Sequence, residues 1–320
     1  MNKNNYENAI SNRYEFVLLY DVENCNPNGD PDAGNLPRID PETGRGIVTD
    51  VCIKRKIRNY VETCYGDKPG FDIYIRQDAV LNRNDLIAGE ALDISESLEK
   101  IQKSKKEEAQ KEGAKLKKSD PNIDIRIRDS MCRHFYDIRT FGAVMTTFVK
   151  GALNCGQVRG PIQLAFGKSE DPIFPRDITI TRVAITTEED AQKKDNEIGR
   201  KAIVPYGLYR QEGYISANLA RTITGFSDKD LNVFWEALLH MFDDDRSAAR
   251  GKMVLRELIV FKHDCCLGNA PAHKLFERVE ALRKDDVKVP RKYSDYVVTI
   301  NEDNLPAGVT IDRKYRDDIP

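Results

Sequence analysis

Between residues 26 and 49 the chain passes four prolines (Pro27, Pro31, Pro37, Pro41) and four glycines (Gly29, Gly34, Gly44, Gly46) before a helix can begin. A connection that long inside a compact domain is usually either an ordered functional loop or a disordered linker. Proline and glycine at this density fix a backbone path, which favours the ordered loop. Upstream, Tyr14, Phe16, Leu18 and Tyr20 alternate with Glu15, Val17, Leu19 and Asp21, the pattern of a strand buried on both faces. Downstream, Thr49-Asp50 supplies an N-cap. The following residues place Ile53, Ile57, Tyr60, Val61 and Cys64 on one helical face. Lys54 and Arg58 then share one flank of that stripe, Lys56 lies on the other flank and Arg55 points away. A basic helix start at the end of a pinned loop suits an anion, because unpaired N–H groups and the helix dipole point there.

The rest of the chain alternates between core-like and inserted stretches. Residues 71–76 and 123–127 read as short strands, the latter because Ile123, Ile125 and Ile127 alternate with charged residues. Between them, residues 90–118 are helical, charged and almost free of aromatics, with Glu99/Lys103 and Glu107/Lys111 as supporting pairs. A further strand is expected at 161–166. Residues 167–200 read as an extended arm or hairpin, with extended character through 183–185 and a polar segment at 188–196. The core resumes at 202–209 and 213–219. An amphipathic helix at 228–242 buries Leu231, Phe234, Trp235, Leu238, Leu239 and Phe242. An apolar strand follows at 253–261, another at 296–300, and then an irregular charged tail. Without the insertions the order is strand, helix, strands, helix, strand. That order predicts an α+β, RRM/ferredoxin-like core. The boundaries expected are 13–75 for the first part of the core, 76–135 for a helical insertion, 136–166 for core, 167–203 for the arm, 204–302 for the remaining core and 303–320 for the tail. Such a pattern hosts many functions and decides none of them.

Catalytic signatures are sparse. Gly167-Lys168-Ser169 lacks the preceding glycine at Walker spacing, and there is no GxSxG, HExxH or CxxC. His263, Cys265 and Cys266 cluster, but adjacent cysteines chelate one zinc poorly and no second ligand pair is nearby. The four histidines show no base–nucleophile arrangement. Asp30 and Asp32 are the best acidic pair. They are able in principle to hold a metal against an RNA phosphodiester, although loop aspartates more often make turns. No metal and no cofactor are expected. The formal net charge is −2, so bulk charge points to neither nucleic acid nor membrane. Seven scattered cysteines and a polar first dozen residues fit a reduced, cytoplasmic protein without a secretory signal. No apolar run reaches a membrane span. Local cations argue for RNA. Beyond Lys54, Arg55, Lys56 and Arg58, the residues Arg139, Arg159, Lys168, Arg176, Arg182, Arg200 and Lys201 sit beside glycines or strand ends where core meets arm. Scattered cations of this kind suit a groove that tracks a sugar–phosphate backbone without reading bases. Asn28 of the loop joins that set.

The segments NPNGDPDAGNLPRIDPETGRGIVTDVCIKRKIRNYV (26–61), FYDIRTFGAVM (135–145), GQVRGPIQLAFGKS (156–169), ITITRVAITT (178–187) and GRKAIVPYGLYRQEGYISANLAR (199–221) resemble the backbone subunits of CRISPR Cascade complexes, subtype I-C, in the RAMP superfamily. The resemblance implies an RRM-like core with a helical finger and an extended thumb, polymerising along the spacer of a CRISPR RNA. It implies phosphate contacts at Thr49, Lys54, Lys56 and Arg58. Its implied partners are CRISPR RNA, the target DNA strand, neighbouring copies and other Cascade subunits, with no membrane. Pairing reads sequence while the protein holds shape. Relatives in the RNA-targeting branch cut RNA with a first-loop aspartate and the DNA-targeting branch does not, which leaves Asp30 and Asp32 without a catalytic role. The alternative is a metal-dependent endoribonuclease of the same superfamily using those two carboxylates.

Overall fold

The computed structural model describes residues 6–77, 81–145, 152–182, 197–248 and 250–317. Strand β1 (Tyr14–Cys25) is central and buried along almost its whole length. The loop that follows is ordered: Gly29–Asp30 pairs with Leu36–Pro37, and Ile39 bridges Gly46. It delivers the edge strand β2 (Arg45–Val48) and then helix α1 (Asp50–Tyr65). A helical block comes next, with α2 (Ser95–Lys103), α3 (Lys106–Ser119), α4 (Ile123–His134) and α5 (Tyr136–Phe141). A small ladder, β3 (Gly142–Met145) with β4 (Gly156–Arg159), leads to β5 (Ile162–Leu164), β6 (Gly167–Pro172), β7 (Arg176–Arg182) and the long β8 (Glu197–Ile215). Helix α6 (Asp228–His240), strand β9 (Lys252–His263), the short α7 (Ala272–Phe276), the hairpin β10 (Val279–Arg283)/β11 (Tyr296–Ile300) and β12 (Val309–Arg316) complete the chain.

The main sheet runs β12-β9-β1-β8-β6-β2, with β5 and β7 also on β8, and its ladders are antiparallel. Because side chains alternate across a strand, β1 feeds two cores. Phe16, Leu18, Tyr20 and Val22 meet Ile53, Ile57, Val61, Phe234 and Leu238 of α1 and α6 on one face. Val17 and Leu19 meet Tyr206, Ile259, Phe276 and Tyr293 on the other. Glu236 of α6 accepts from the hydroxyls of Tyr60 and Tyr65 at 2.6 Å each, tying the two helices together and lowering its own pKa. Gly46 leaves room for Tyr209 beneath the edge strand: a Cβ there would lie 2.2 Å from the tyrosine oxygen.

Several elements differ from the sequence reading. Residues 71–76 make only a single bridge, Asp72 to Phe135. The N–H groups of Tyr74 and Ile75 go instead to the Asp137 carboxylate, at 2.8 and 3.1 Å. Residues 123–127 are the start of α4, not a strand. Ile123 and Ile127 are buried one turn apart in a separate core with Leu98, Ile101 and Met131, while Ile125 is 45% exposed. The end of the chain is not an irregular tail, since β12 pairs with β9 along the sheet edge. The β10 strand was not anticipated. The hairpin expected in the arm is present as β7 paired with the first part of β8, from Arg176↔Ile203 to Arg182↔Glu197. The extended and polar segments expected at 183–185 and 188–196 lie outside the described residues.

Candidate nucleic-acid interface

The loop and the start of α1 are joined by one side chain. Asn28 Oδ1 accepts from both the backbone N and the hydroxyl of Thr49, each at 2.9 Å. Thr49 is the N-cap residue, yet its hydroxyl is spent on Asn28 and makes no side-chain bond to the first turn. The N–H groups opening α1 are therefore left without the usual side-chain acceptor. They border a hollow of about 470 Å³ lined by Asn26, Asn28, Asn35, Thr49, Arg55 and Arg250 among others. Asn26 donates to the Asn35 carbonyl at 2.7 Å, closing the loop back on itself. Arg55 is half-buried and donates to the Ile75 carbonyl at 3.2 Å, which places its guanidinium at the rim. The arrangement is polar, preformed and cationic on one side.

The remaining basic residues of α1 behave differently from the expected open flank. Lys54, Lys56 and Arg58 are all buried. Lys54 Nζ lies 2.8 Å from Asp50, Lys56 Nζ is paired with Asp245, and Arg58 Nε lies 2.8 Å from Asp137. Lys54 and Arg58 also lie over the Phe141 ring, and Lys56 over Phe242. Burying an unpaired charge is costly, so each of these cations recruits a carboxylate. Arg139 is likewise internal. It is bidentate to Asp230, at 2.7 and 3.1 Å, and donates to the carbonyls of Cys132 and Gly70, each at 2.8 Å. Lys56 fastens the loop at 245 to α1, and Arg58 and Arg139 fasten α5 of the helical block to α1 and α6, whereas the Lys54–Asp50 pair lies within α1.

The other basic residues fall into separate places. Arg159 and Lys168 are exposed, the latter in β6 opposite Ile47 of the edge strand, beside exposed Arg45. Arg176 is exposed at the base of the β7–β8 hairpin, and half-buried Lys201 pairs with Ile178 within it. Arg182 ends β7 on the same hairpin. The structure thus gathers Asn28, Thr49, Arg55 and the buried, Asp245-paired Lys56 around one hollow and leaves Arg159, Lys168, Arg176, Arg182 and Lys201 along the sheet edge and the hairpin. Asn26, Asn35 and Arg250 were missed; the asparagine density of the loop was the signal for the first two, and Arg250, far along the chain, had none.

The acidic, histidine and thiol groups singled out in the sequence have other engagements in the structure. Asp30 caps the turn at Pro31–Ala33 by accepting from Asp32 N at 3.2 Å, and it pairs with Arg38 at 3.3 Å. No group of three or more His, Cys, Asp or Glu side chains is disposed to hold a metal ion among the described residues. His263 is buried against Glu15 at 2.5 Å. Burial pushes the Cys25 thiol up to about 11 and those of Cys132 and Cys155 up to about 12, so all three stay protonated and unreactive near neutrality.

A family model described as "CRISPR-associated protein Cas7" matches residues 12–301. The curated "CRISPR-associated protein Cas7" of Haloferax volcanii is 47% identical over 66 residues, which is 21% of this chain and 18% of that protein's length. Among solved structures, a chain of "CRISPR RNA-guided surveillance complex, pre-nicking" aligns with TM-score 0.45 and 16% identity over 78% of this chain and 75% of its own. A chain from the type III-B Cmr-beta complex bound to cognate target RNA aligns with TM-score 0.41 and 10% identity over 78% and 61%.

Proposed function

Because the chain belongs to the CRISPR-associated protein Cas7 family, we propose that it is a non-catalytic, RNA-binding backbone subunit of a type I-C Cascade complex acting in antiviral defence. Neighbouring copies would line up along the spacer of a CRISPR RNA, alongside other Cascade subunits, and leave the guide bases open to pair with a target DNA strand. The observation that carries this reading is the Asn28–Thr49 clamp, which holds the uncapped start of α1 open beside Arg55. Phosphate oxygens are the ligand that such N–H groups and a guanidinium suit best. Exposed Lys168 at the sheet edge, and Arg176, Arg182 and Lys201 on the hairpin, extend the cationic path, with Arg159 as a further contact. In this reading Lys54, Lys56, Arg58 and Arg139 hold the interface in shape from beneath.

The strand order β9-β1-β8-β6 around α1 and α6 supports an RRM-like core. On that core the helical block is the finger and the β7–β8 hairpin is the thumb. Ile178 and Ile180 of the hairpin are exposed, which suits a contact with the next copy. No described helix is long and apolar enough to cross a membrane. All seven cysteines are free, which suits a reducing cytoplasm.

The test is fluorescence anisotropy with RNAs of unrelated sequence. Arg55→Ala combined with Asn28→Ala weakens binding of all of them alike. It also lowers the salt slope by about 0.7 for each phosphate of a single strand that is no longer neutralised. A loss confined to some sequences, or unchanged affinity, overturns the proposal.

A further inference from the structure

A second hollow lies away from α1. It holds about 310 Å³, near the lower end of the ~300–1,000 Å³ usual for ligand pockets. It is bounded by the base of the hairpin, by β8 and by the segment between β10 and β11, and it shares no lining residue with the Asn28 hollow. Its walls carry four cations, Arg176, Arg283, Lys288 and Arg291, all exposed, against one carboxylate, Asp171. That carboxylate is already occupied: Arg283 lies 3.0 Å from one oxygen and the Tyr296 hydroxyl donates to the other at 2.7 Å. A chain of net charge −2 thus concentrates positive charge here.

The rest of the lining is apolar and preformed. Phe174 is 72% exposed and Val289 is 52% exposed. Pro172, Pro205 and Pro290 stiffen the floor, which reduces the ordering cost of binding. No Asn, Gln, Ser or Thr lines the hollow, and its two tyrosine hydroxyls are engaged, Tyr296 donating to Asp171 and Tyr206 to Asp21, so no unengaged amide or hydroxyl side chain is left there to read base edges. A cationic rim around an exposed ring, without reading groups, matches a ligand that is anionic along one side and flat and apolar on the other.

We propose that this hollow is a second, sequence-indifferent site for single-stranded nucleic acid. One base stacks on Phe174, and the adjoining phosphates lie on Lys288 and Arg291. The site is independent of the contacts at α1 and is able to hold a strand while those are filled.

The experiment uses the full chain and labelled dT12 and U12 in anisotropy titrations at low salt, in both the wild-type and the Arg55→Ala background. Stacking on one base is worth about 1–3 kcal/mol, so Phe174→Ala weakens binding by a factor of roughly 5 to 160 in either background, with the salt slope unchanged. Phe174→Trp retains affinity and Phe174→Leu does not. Lys288→Ala and Arg291→Ala each make the slope shallower, by about 0.7. Equal effects with dT12 and U12 leave the site open to either strand chemistry, whereas an effect with one alone assigns it to that chemistry. Because Phe174 is exposed, the melting temperature should not move. Unchanged affinity in Phe174→Ala overturns the proposal. So does full retention by Phe174→Leu, which marks an apolar protein-docking face. Loss of self-association in nuclease-treated Phe174→Ala protein, with nucleic-acid affinity intact, overturns it in the same way. Failure of Arg55→Ala to weaken RNA binding would count against the α1 interface and leave this site standing.

Discussion

Arg139 shows what the buried cations of this chain are for. Its guanidinium is forked onto Asp230, reaches three backbone carbonyls and lies beside the stacked rings of Phe71 and Tyr136. Asp230 in turn completes the capping box of α6 with Ser227. Arg139→Ala would leave that carboxylate buried without its cation, a loss expected to cost about 3–5 kcal/mol in urea unfolding. Adding Asp230→Asn should cost less than the sum of the two changes. Only part of this was legible from the sequence. Lys54 and Asp50 are four apart on one helix, a pairing that local spacing permits. Arg58 finds Asp137 at 79 residues' separation, Arg139 finds Asp230 at 91 and Lys56 finds Asp245 at 189. Periodicity says which flank a cation occupies, not which carboxylate the fold will bring to it. The cysteines give a second check at this scale. Exposed Cys64 should react promptly with a thiol reagent, while Cys25, Cys132 and Cys155 should react only on unfolding, as followed by mass spectrometry of the labelled protein.

Elements were read best where burial is lopsided or complete. β1 carries apolar residues on both faces because it lies between two cores, and α6 buries its predicted stripe, with Leu231, Phe234, Trp235 and Leu238 inward. The loop before α1 was foreseen as ordered because proline and glycine leave the backbone few alternatives, while the Asn28–Thr49 clamp within it was not foreseen. Residues 123–127 were misread because three isoleucines two apart fit a strand, while Ile123, Ile127 and Met131 equally fit a helix. Packing against Leu98 and Ile101 decided for the helix. The consequence is measurable by thermal unfolding. Ile125→Lys should shift stability by no more than about 0.5 kcal/mol. Ile127→Lys, at a position with no solvent exposure, should cost several kcal/mol by burying an unpaired charge. Equal effects at the two positions would contradict the helix.

At the scale of the whole molecule, both faces of the sheet are covered. α1 and α6 take one, and the β10–β11 hairpin with α7 takes the other. On the proposed function, a strand of RNA has no open sheet face to lie on, and its binding would be left to edges, loop and hairpin. The last covering piece is β12. The sequence hid it because its inward positions include Arg313, whose partner Glu257 sits on β9. β12 seals the edge of β9, whose core segment MVLRELIVF would otherwise present a long apolar strand with unpaired backbone groups. Removing residues 303–320 would uncover that edge and take away Val309, Ile311 and Tyr315, which pack against the two cores. At about 25 cal/mol per Å² of apolar surface, the lost burial amounts to on the order of 3 kcal/mol. The truncated chain should melt several degrees lower. It should also elute from size exclusion as concentration-dependent aggregates, with the β9 amides losing hydrogen-exchange protection. A truncated chain that stays monomeric, with those amides as protected as in the full chain, would mean that β12 is an accessory to the sheet and not its boundary.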